Sequence, residues 1–397
     1  MSATSEGERA EIEPRTTPVE LLWDLVFAFA ITQVSTLLSE RLTWAGFGQA
    51  LLVLALVWWA WSAFVWAVNA QLTGSQPVKV TLLPATGFIF VVALSLPHAF
   101  ASEGPLFASC YAVVRLLHLG LYVDASRRGS ASWSAIVGFA VTVIVGMVLL
   151  VAGSLVPDPA RAILWTAAVA IDYAGPAWLT RERLRGLQQV AVAHFAERYS
   201  LFVIICLGES IVSVGAGALG SGHGASRTLS ASLVAAAALS LAVTIGMWWA
   251  YFASSEGTER RLREHHDPVL AAADGYSYLH LPIVAGIILF AVGAKLLVRG
   301  DPTAALPGSA RLVLCGGVAV YLLAHLAFQV RLGEVQALDL RARGRLLAAA
   351  VLAALYAFGG GVAGLVVAAV VAVVLAAVCG AEMWPTGGLG AATVRAD

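Results

Sequence analysis

The chain has 397 residues, 59% of them hydrophobic and 12% charged, with a formal net charge of zero and a mean hydropathy of +0.83. That is more apolar and less charged than a soluble domain, so the composition excludes one and describes an all-α, polytopic membrane protein whose solvent is a lipid bilayer. Zero net charge points to no nucleic acid, and Cys110, Cys206, Cys315 and Cys379 lie in apolar runs without CxxC or Cys/His spacing, so no metal and no cofactor is expected.

Residues 1–17 are polar and acidic and lack the basic region and cleavage site of a signal peptide, so the first apolar run is expected to stay as a span. Span one, residues 18–38, has Pro18 in a first-turn position and Glu20 and Asp24 at i, i+4 on one helix face. Glu20 suits a helix N-terminus at the interface, whereas Asp24, roughly 6 Å deeper, does not. Span two, residues 45–69, holds Trp58, Trp59, Trp61 and Trp66, too widely spread for an interfacial belt alone and therefore packing residues or pocket lining. Span three, residues 78–96, contains Pro84, where a kink is expected, and ends at Pro97.

Span four, residues 105–123, places Arg115 midway between its boundaries with His118 one turn on, and an arginine at that depth needs a partner. Span five, residues 131–151, is uniformly apolar, with Gly138 and Gly146 as close-packing points. Span six, residues 160–179, carries Asp172 near its centre, and an arginine-rich lead-in follows before span seven, residues 200–219. The stretch HFAERYSLFVIICLGESIV, residues 194–212, sets His194, Glu197, Arg198 and Glu209 in a segment that otherwise reads as membrane. Arg198 and Glu209 share a helix face, separated by about 16 Å of axis. With Arg198 at the water boundary, Glu209 is expected near mid-bilayer, where a carboxylate must be protonated, paired or wetted.

Span eight, residues 230–254, ends in Trp248, Trp249 and Tyr251, and the following His265, His266 and Asp267 have the spacing of a solvated loop rather than a metal site. Span nine, residues 276–298, opens with His280 and closes with Lys295, and span ten, residues 310–330, contains His325. Residues 345–383 are too long for one span and are expected to turn back at 359–361, giving about twelve spans. With Arg115 set aside, seventeen basic residues fall on one side and six on the other, which places both termini in the cytoplasm.

Three motif matches recur in the same order at offsets of roughly 190–207 residues: Trp58-Trp59-Ala60-Trp61 with Trp248-Trp249-Ala250-Tyr251, LLPATGFIFVVA with HLPIVAGIILFAVG, and the segments around His118 and His325. A shift of six spans preserves orientation, so two parallel six-helix repeats are expected, residues 18–185 and 186–384, between tails 1–17 and 385–397.

PVELLWDLVFAFAITQ, WWAW, YAVVR, HFAERYSLFVIICLGESIV, WWAYF and YSYLHLPIVAGIILFAVG together resemble the successive signatures of the bacterial low temperature requirement protein A family. The resemblance covers residues 18–293 by motif and the rest by hydropathy. It implies that the family's marked positions fall on Glu20, Asp24, Trp58, Trp59, Arg115, His194, Glu197, Arg198, Gly208, Glu209, Trp248, Trp249, Tyr251 and His280. Ala253 departs from the pattern, since relatives often carry an acid there. The family name implies a connection with growth in the cold and a bacterial cytoplasmic membrane, but no defined reaction.

Mid-bilayer ionisable groups and a parallel repeat are features of transporter folds, which puts a proton-coupled transporter or permease for a small molecule or ion first. Its expected pathway runs through Glu20, Asp24, Arg115, His118, Asp172, His194, Glu197, Arg198, Glu209 and His280, with Trp58, Trp59, Trp248, Trp249 and Tyr251 lining a pocket. A membrane-embedded enzyme ranks second, because no HExxH, GxSxG or phosphate-cradling loop is present, and a sensor or assembly protein third. Within the first class, Glu209 is the expected proton exchanger, with Arg198 and His194 leading to the cytoplasm and Asp24 or Asp172 pairing with Arg115.

Overall fold

The computed structural model describes residues 16–69, 76–127, 133–175, 191–220, 228–336 and 339–383, and the statements below concern these. The expected tails and the arginine-rich stretch at 181–190 lie outside them, apart from residues 16 and 17. In chain order the helices are α1 (Pro18–Glu40), α2 (Trp44–Asn69), α3 (Gln76–Ser95), α4 (Gly104–Arg127), α5 (Trp133–Ser154), α6 (Ala160–Ala174), α7 (Val192–Leu219) and α8 (Ala231–Phe252). There follow the polar α9 (Ser255–Glu264), the five-residue α10 (Pro268–Ala272), α11 (His280–Arg299), α12 (Gly308–Arg331), α13 (Leu340–Phe358) and α14 (Gly364–Met383). Among the described residues there is no strand, only an isolated bridge between Ala305 and Ala363. Helices are what an apolar solvent demands, since each satisfies its backbone polar groups internally.

Each expected span falls on a helix, but among the described residues ten helical segments, not twelve, are long and apolar enough to cross a membrane. Of the two that fall short, α13 opens with Arg341, Arg343 and Arg345, and the expected continuation of α6 beyond residue 175 lies outside the described residues. Pro84 does not interrupt α3, which continues to Ser95, and a single turn of 3₁₀-helix at Leu96–His98 follows around Pro97. The turn expected at 359–361 is present between α13 and α14. Large apolar side chains such as Leu25 (64% exposed) and Val148 (61%) cover outer helix faces, a surface suited to lipid rather than water.

The chain divides into two compact units. The first comprises Met1–Ala30, Ala55–Phe202 and His266–Leu270. In it α3 packs on α4, α4 on α5 and α5 on α6, and Gly146 lets α5 approach Ala168 of α6 closely. Its core is aromatic: Trp23, Trp58, Trp61, Tyr111, Trp165 and Tyr199 are fully buried. The second comprises Ile31–Leu54, Val203–His265 and Ala271–Asp397. Its tightest pair is α11 and α12, where Gly286, Gly293 and Gly317 bring the two backbones into contact. There α12 also packs on α13, α13 on α14, and α8 on α14.

Candidate functional site

In the first unit, the acids one turn apart on α1 face a histidine and an arginine one turn apart on α7. Arg198 splits its guanidinium between them, Nη1 donating to Glu20 Oε1 at 2.7 Å and Nη2 to Asp24 Oδ1 at 2.6 Å. His194 Nε2 stands 3.2 Å from the same Glu20 Oε1. All four side chains are buried, none more than 2% exposed. Glu20 also anchors the start of its own helix. Its Oε2 accepts from the backbone N–H and the hydroxyl of Thr17, both at 2.7 Å, the Glu half of a capping box ahead of Pro18 at the start of α1. Asp24 Oδ1 also accepts from Trp61 Nε1 at 2.7 Å, while its Oδ2 is buried with no hydrogen-bond partner.

The role of each His194 nitrogen follows from its neighbour. Asn69 Oδ1 accepts from the Ala191 N–H at 3.0 Å, so its Nδ2 is the atom that meets His194 Nδ1 at 3.3 Å. An amide nitrogen only donates, so Nδ1 is the acceptor in this contact and Nε2 is the nitrogen that faces Glu20. The cluster holds two carboxylates against one guanidinium.

Elsewhere in the first unit, Arg115 Nη2 donates to Asp172 Oδ1 at 2.7 Å, a fully buried one-to-one pair that identifies Asp172, not Asp24, as its partner. His118, one turn along α4, is enclosed by the rings of Phe64, Tyr122 and Phe139. Trp59 stacks on Tyr173 with centroids 4.0 Å apart, and Trp58 packs edge-on against Tyr199 and Phe202. Arg161, in the first turn of α6, is buried and donates to the carbonyls of Ala99, Ala101, Ser154 and Val156.

The second unit holds two polar centres. Glu209 accepts from Thr32 Oγ1 at 2.5 Å through Oε2 and from Ser213 Oγ at 2.7 Å through Oε1, with no ion pair among the described residues. Apart from it, His280 Nδ1 meets the Gly275 carbonyl at 3.0 Å and its Nε2 the Tyr251 hydroxyl at 2.8 Å. A carbonyl only accepts, so Nδ1 bears the proton and Tyr251 donates to Nε2. The turn that supplies Gly275 is a π-helix, Ala273–Leu279, a wide turn that recurs at functional positions. Tyr251 also stacks on His325, whose Nδ1 accepts from Arg345 Nη1 at 3.0 Å, and Arg345 Nε donates to Glu382 at 2.7 Å.

Of the residues singled out from the sequence, the structure brings Glu20, Asp24, His194 and Arg198 together, joins Arg115 to Asp172, and joins Tyr251 to His280. It leaves Glu197, also on α7, exposed. Trp248 and Trp249, expected as pocket lining, are 43% and 41% exposed, because Ala250 and Tyr251 take the inward face of α8. Arg198, expected at the water boundary, is 1% exposed and held by Glu20 and Asp24, and Arg345 is equally buried beside Glu382. Trp61, Asn69, Thr32, Ser213 and Glu382 were missed as site residues. The Thr17-x-x-Glu20 spacing is a sequence signal for the cap, whereas the Arg345–Glu382 pair, 37 residues apart, has none. No group of three or more His, Cys, Asp or Glu side chains among the described residues is placed to hold a metal ion.

No solved structure matches the chain. It is 32% identical over 283 residues to an uncharacterized protein of Rhizobium meliloti (strain 1021), covering 69% of this chain and 67% of that protein. The family model described as bacterial low temperature requirement A protein matches residues 15–380, a stretch that includes every residue of the three polar centres except Glu382. The chain thus belongs to the bacterial low temperature requirement A family.

Proposed function

We propose that this protein is a proton-coupled secondary transporter of the bacterial cytoplasmic membrane, with twelve spans in two parallel six-helix halves and both termini in the cytoplasm. The observation that carries the reading is the charge balance around Arg198. Two buried carboxylates share one guanidinium, His194 Nδ1 takes the Asn69 amide as its donor, and Asp24 keeps one carboxylate oxygen without a partner. In a low-dielectric interior an uncompensated charge is expensive, so a site one positive charge short of neutrality is completed by a proton, and Asp24 Oδ2 is the open position for it. By contrast Arg115 and Asp172 balance one another and serve as a fixed pair.

Internal parallels support the two halves. Tyr111 of α4 donates to the Leu56 carbonyl of α2, and Tyr321 of α12 donates to the Met247 carbonyl of α8. His118 and His325 follow on the same two helices, both buried. Helices α3 to α6 pack in sequence order, as do α11 to α14. Six-span halves related by an axis normal to the membrane are an arrangement that alternating-access transporters use.

Purified protein in liposomes tests the reading by uptake of radiolabelled amino acids, sugars and organic ions with and without a pH gradient. Accumulation of one class only under the gradient is expected. Asp24→Asn, which keeps the acceptor for Trp61, should fold and lose that accumulation. Uptake indifferent to the gradient, no gradient-driven uptake across the panel, or unchanged coupling in Asp24→Asn overturns it.

A further inference from the structure

We infer that Glu209, with the hydroxyls around it, forms a binding site for a small monovalent cation, sodium, in the second unit. The inference goes beyond proton coupling at Asp24 and stands on separate residues. Glu209 is 6% exposed, and each of its oxygens already accepts a hydroxyl proton, Oε2 from Thr32 and Oε1 from Ser213. Two donated hydrogen bonds are how an ionised carboxylate is solvated. Yet no cationic side chain among the described residues pairs with it. Lys295 of α11, whose backbone carbonyl lies against Gly217 of α7, donates instead to Ser39, seven residues along α1 from Thr32.

A second, independent observation lies in the hydroxyls themselves. Ser35 (1% exposed) sits one turn beyond Thr32 on α1, and Ser210 (0%) one turn before Ser213 on α7. Both hydroxyl oxygens are buried without a hydrogen-bond partner. Buried hydroxyls that nothing satisfies cost free energy, so each calls for a partner. The oxygens available are hard donors: one carboxylate and the hydroxyls of Thr32, Ser35, Ser210 and Ser213. Such a set suits an alkali cation and offers no nitrogen or sulfur for a transition metal. One carboxylate neutralises one charge, which selects a monovalent ion over calcium or magnesium. The hydroxyls of Thr32 and Ser213 rotate to turn their lone pairs to the ion while the carboxylate binds it directly.

The test uses the full chain in detergent, with no gradient, so it stands or falls separately from proton-driven uptake. Equilibrium binding of ²²Na⁺ should be saturable and displaced by unlabelled NaCl but not by choline chloride, and NaCl should raise the thermal midpoint where choline chloride at equal ionic strength does not. Glu209→Gln should abolish saturable binding and the NaCl-specific shift, with its midpoint in choline close to wild type. If Glu209→Gln does not fold, the Ser35→Ala and Ser210→Ala pair takes its place and should weaken sodium binding at least tenfold. Non-saturable binding by wild type, equal stabilisation by choline, or unchanged affinity in whichever variant folds overturns the assignment.

Discussion

Arg198 and Asp24, although hydrogen-bonded to each other at 2.6 Å, should respond oppositely to neutral substitution. Arg198→Gln leaves two buried carboxylates facing each other and should cost about 3–5 kcal/mol, whereas Asp24→Asn removes the surplus charge, keeps an oxygen for Trp61, and should stay within about 1 kcal/mol of wild type. Thermal midpoints in detergent check both, and in the double variant the arginine's loss should be partly rescued, a coupling of about 0.5–3 kcal/mol. The chemistry of this site was half legible. The i, i+4 spacing of Glu20 and Asp24, and of His194 and Arg198, announces two faces that need partners. What one chain read in order does not contain is that the two faces meet, because hydropathy fixes depth and not which helix stands opposite. Trp61 shows the same limit, since its sequence signal is an aromatic among aromatics, and only the fold turns its N–H to Asp24.

The α11 and α12 pair owes its proximity to missing side chains, and two glycines separate that cause from glycine's other effects. A Cβ on Gly286 would lie 2.6 Å from the Tyr321 nitrogen and 2.7 Å from the Gly317 carbonyl, backbone atoms that do not yield. Gly286→Ala should therefore destabilise by about 1–3 kcal/mol. Gly344, inside α13 with nothing within 4 Å of its absent Cβ, should behave the other way, Gly344→Ala gaining about 0.5–1 kcal/mol from reduced unfolded-state freedom. Matching midpoint shifts in the two variants would refute this account. Element positions were well legible, since long apolar runs bounded by charge become helices in any apolar solvent, and the Gly359–Gly361 turn is a local backbone property. The start of α13 was less legible, since residues 345–383 read as one apolar run and the acid that meets Arg345, Glu382, stands 37 residues away.

At the scale of the whole molecule, the charge asymmetry makes a prediction that needs no site. Single cysteines at Arg183→Cys and Arg343→Cys, on a background lacking Cys110, Cys206, Cys315 and Cys379, should resist impermeant thiol reagents in intact cells and react once the membrane is opened. Labelling of either in intact cells would reverse the proposed orientation. The all-helical, membrane-embedded class was legible from composition alone, because 59% hydrophobic residues leave no other solvent. The division into two compact units was not, since it cuts across the order in which the helices are strung. One side chain joins two helices. Asn69, the last residue of α2, grips both backbone groups of Ala191 and, through the same amide, the unprotonated nitrogen of His194. One amide thus ties the end of α2 to the start of α7 and, in the same grip, fixes which ring nitrogen of His194 is turned toward Glu20.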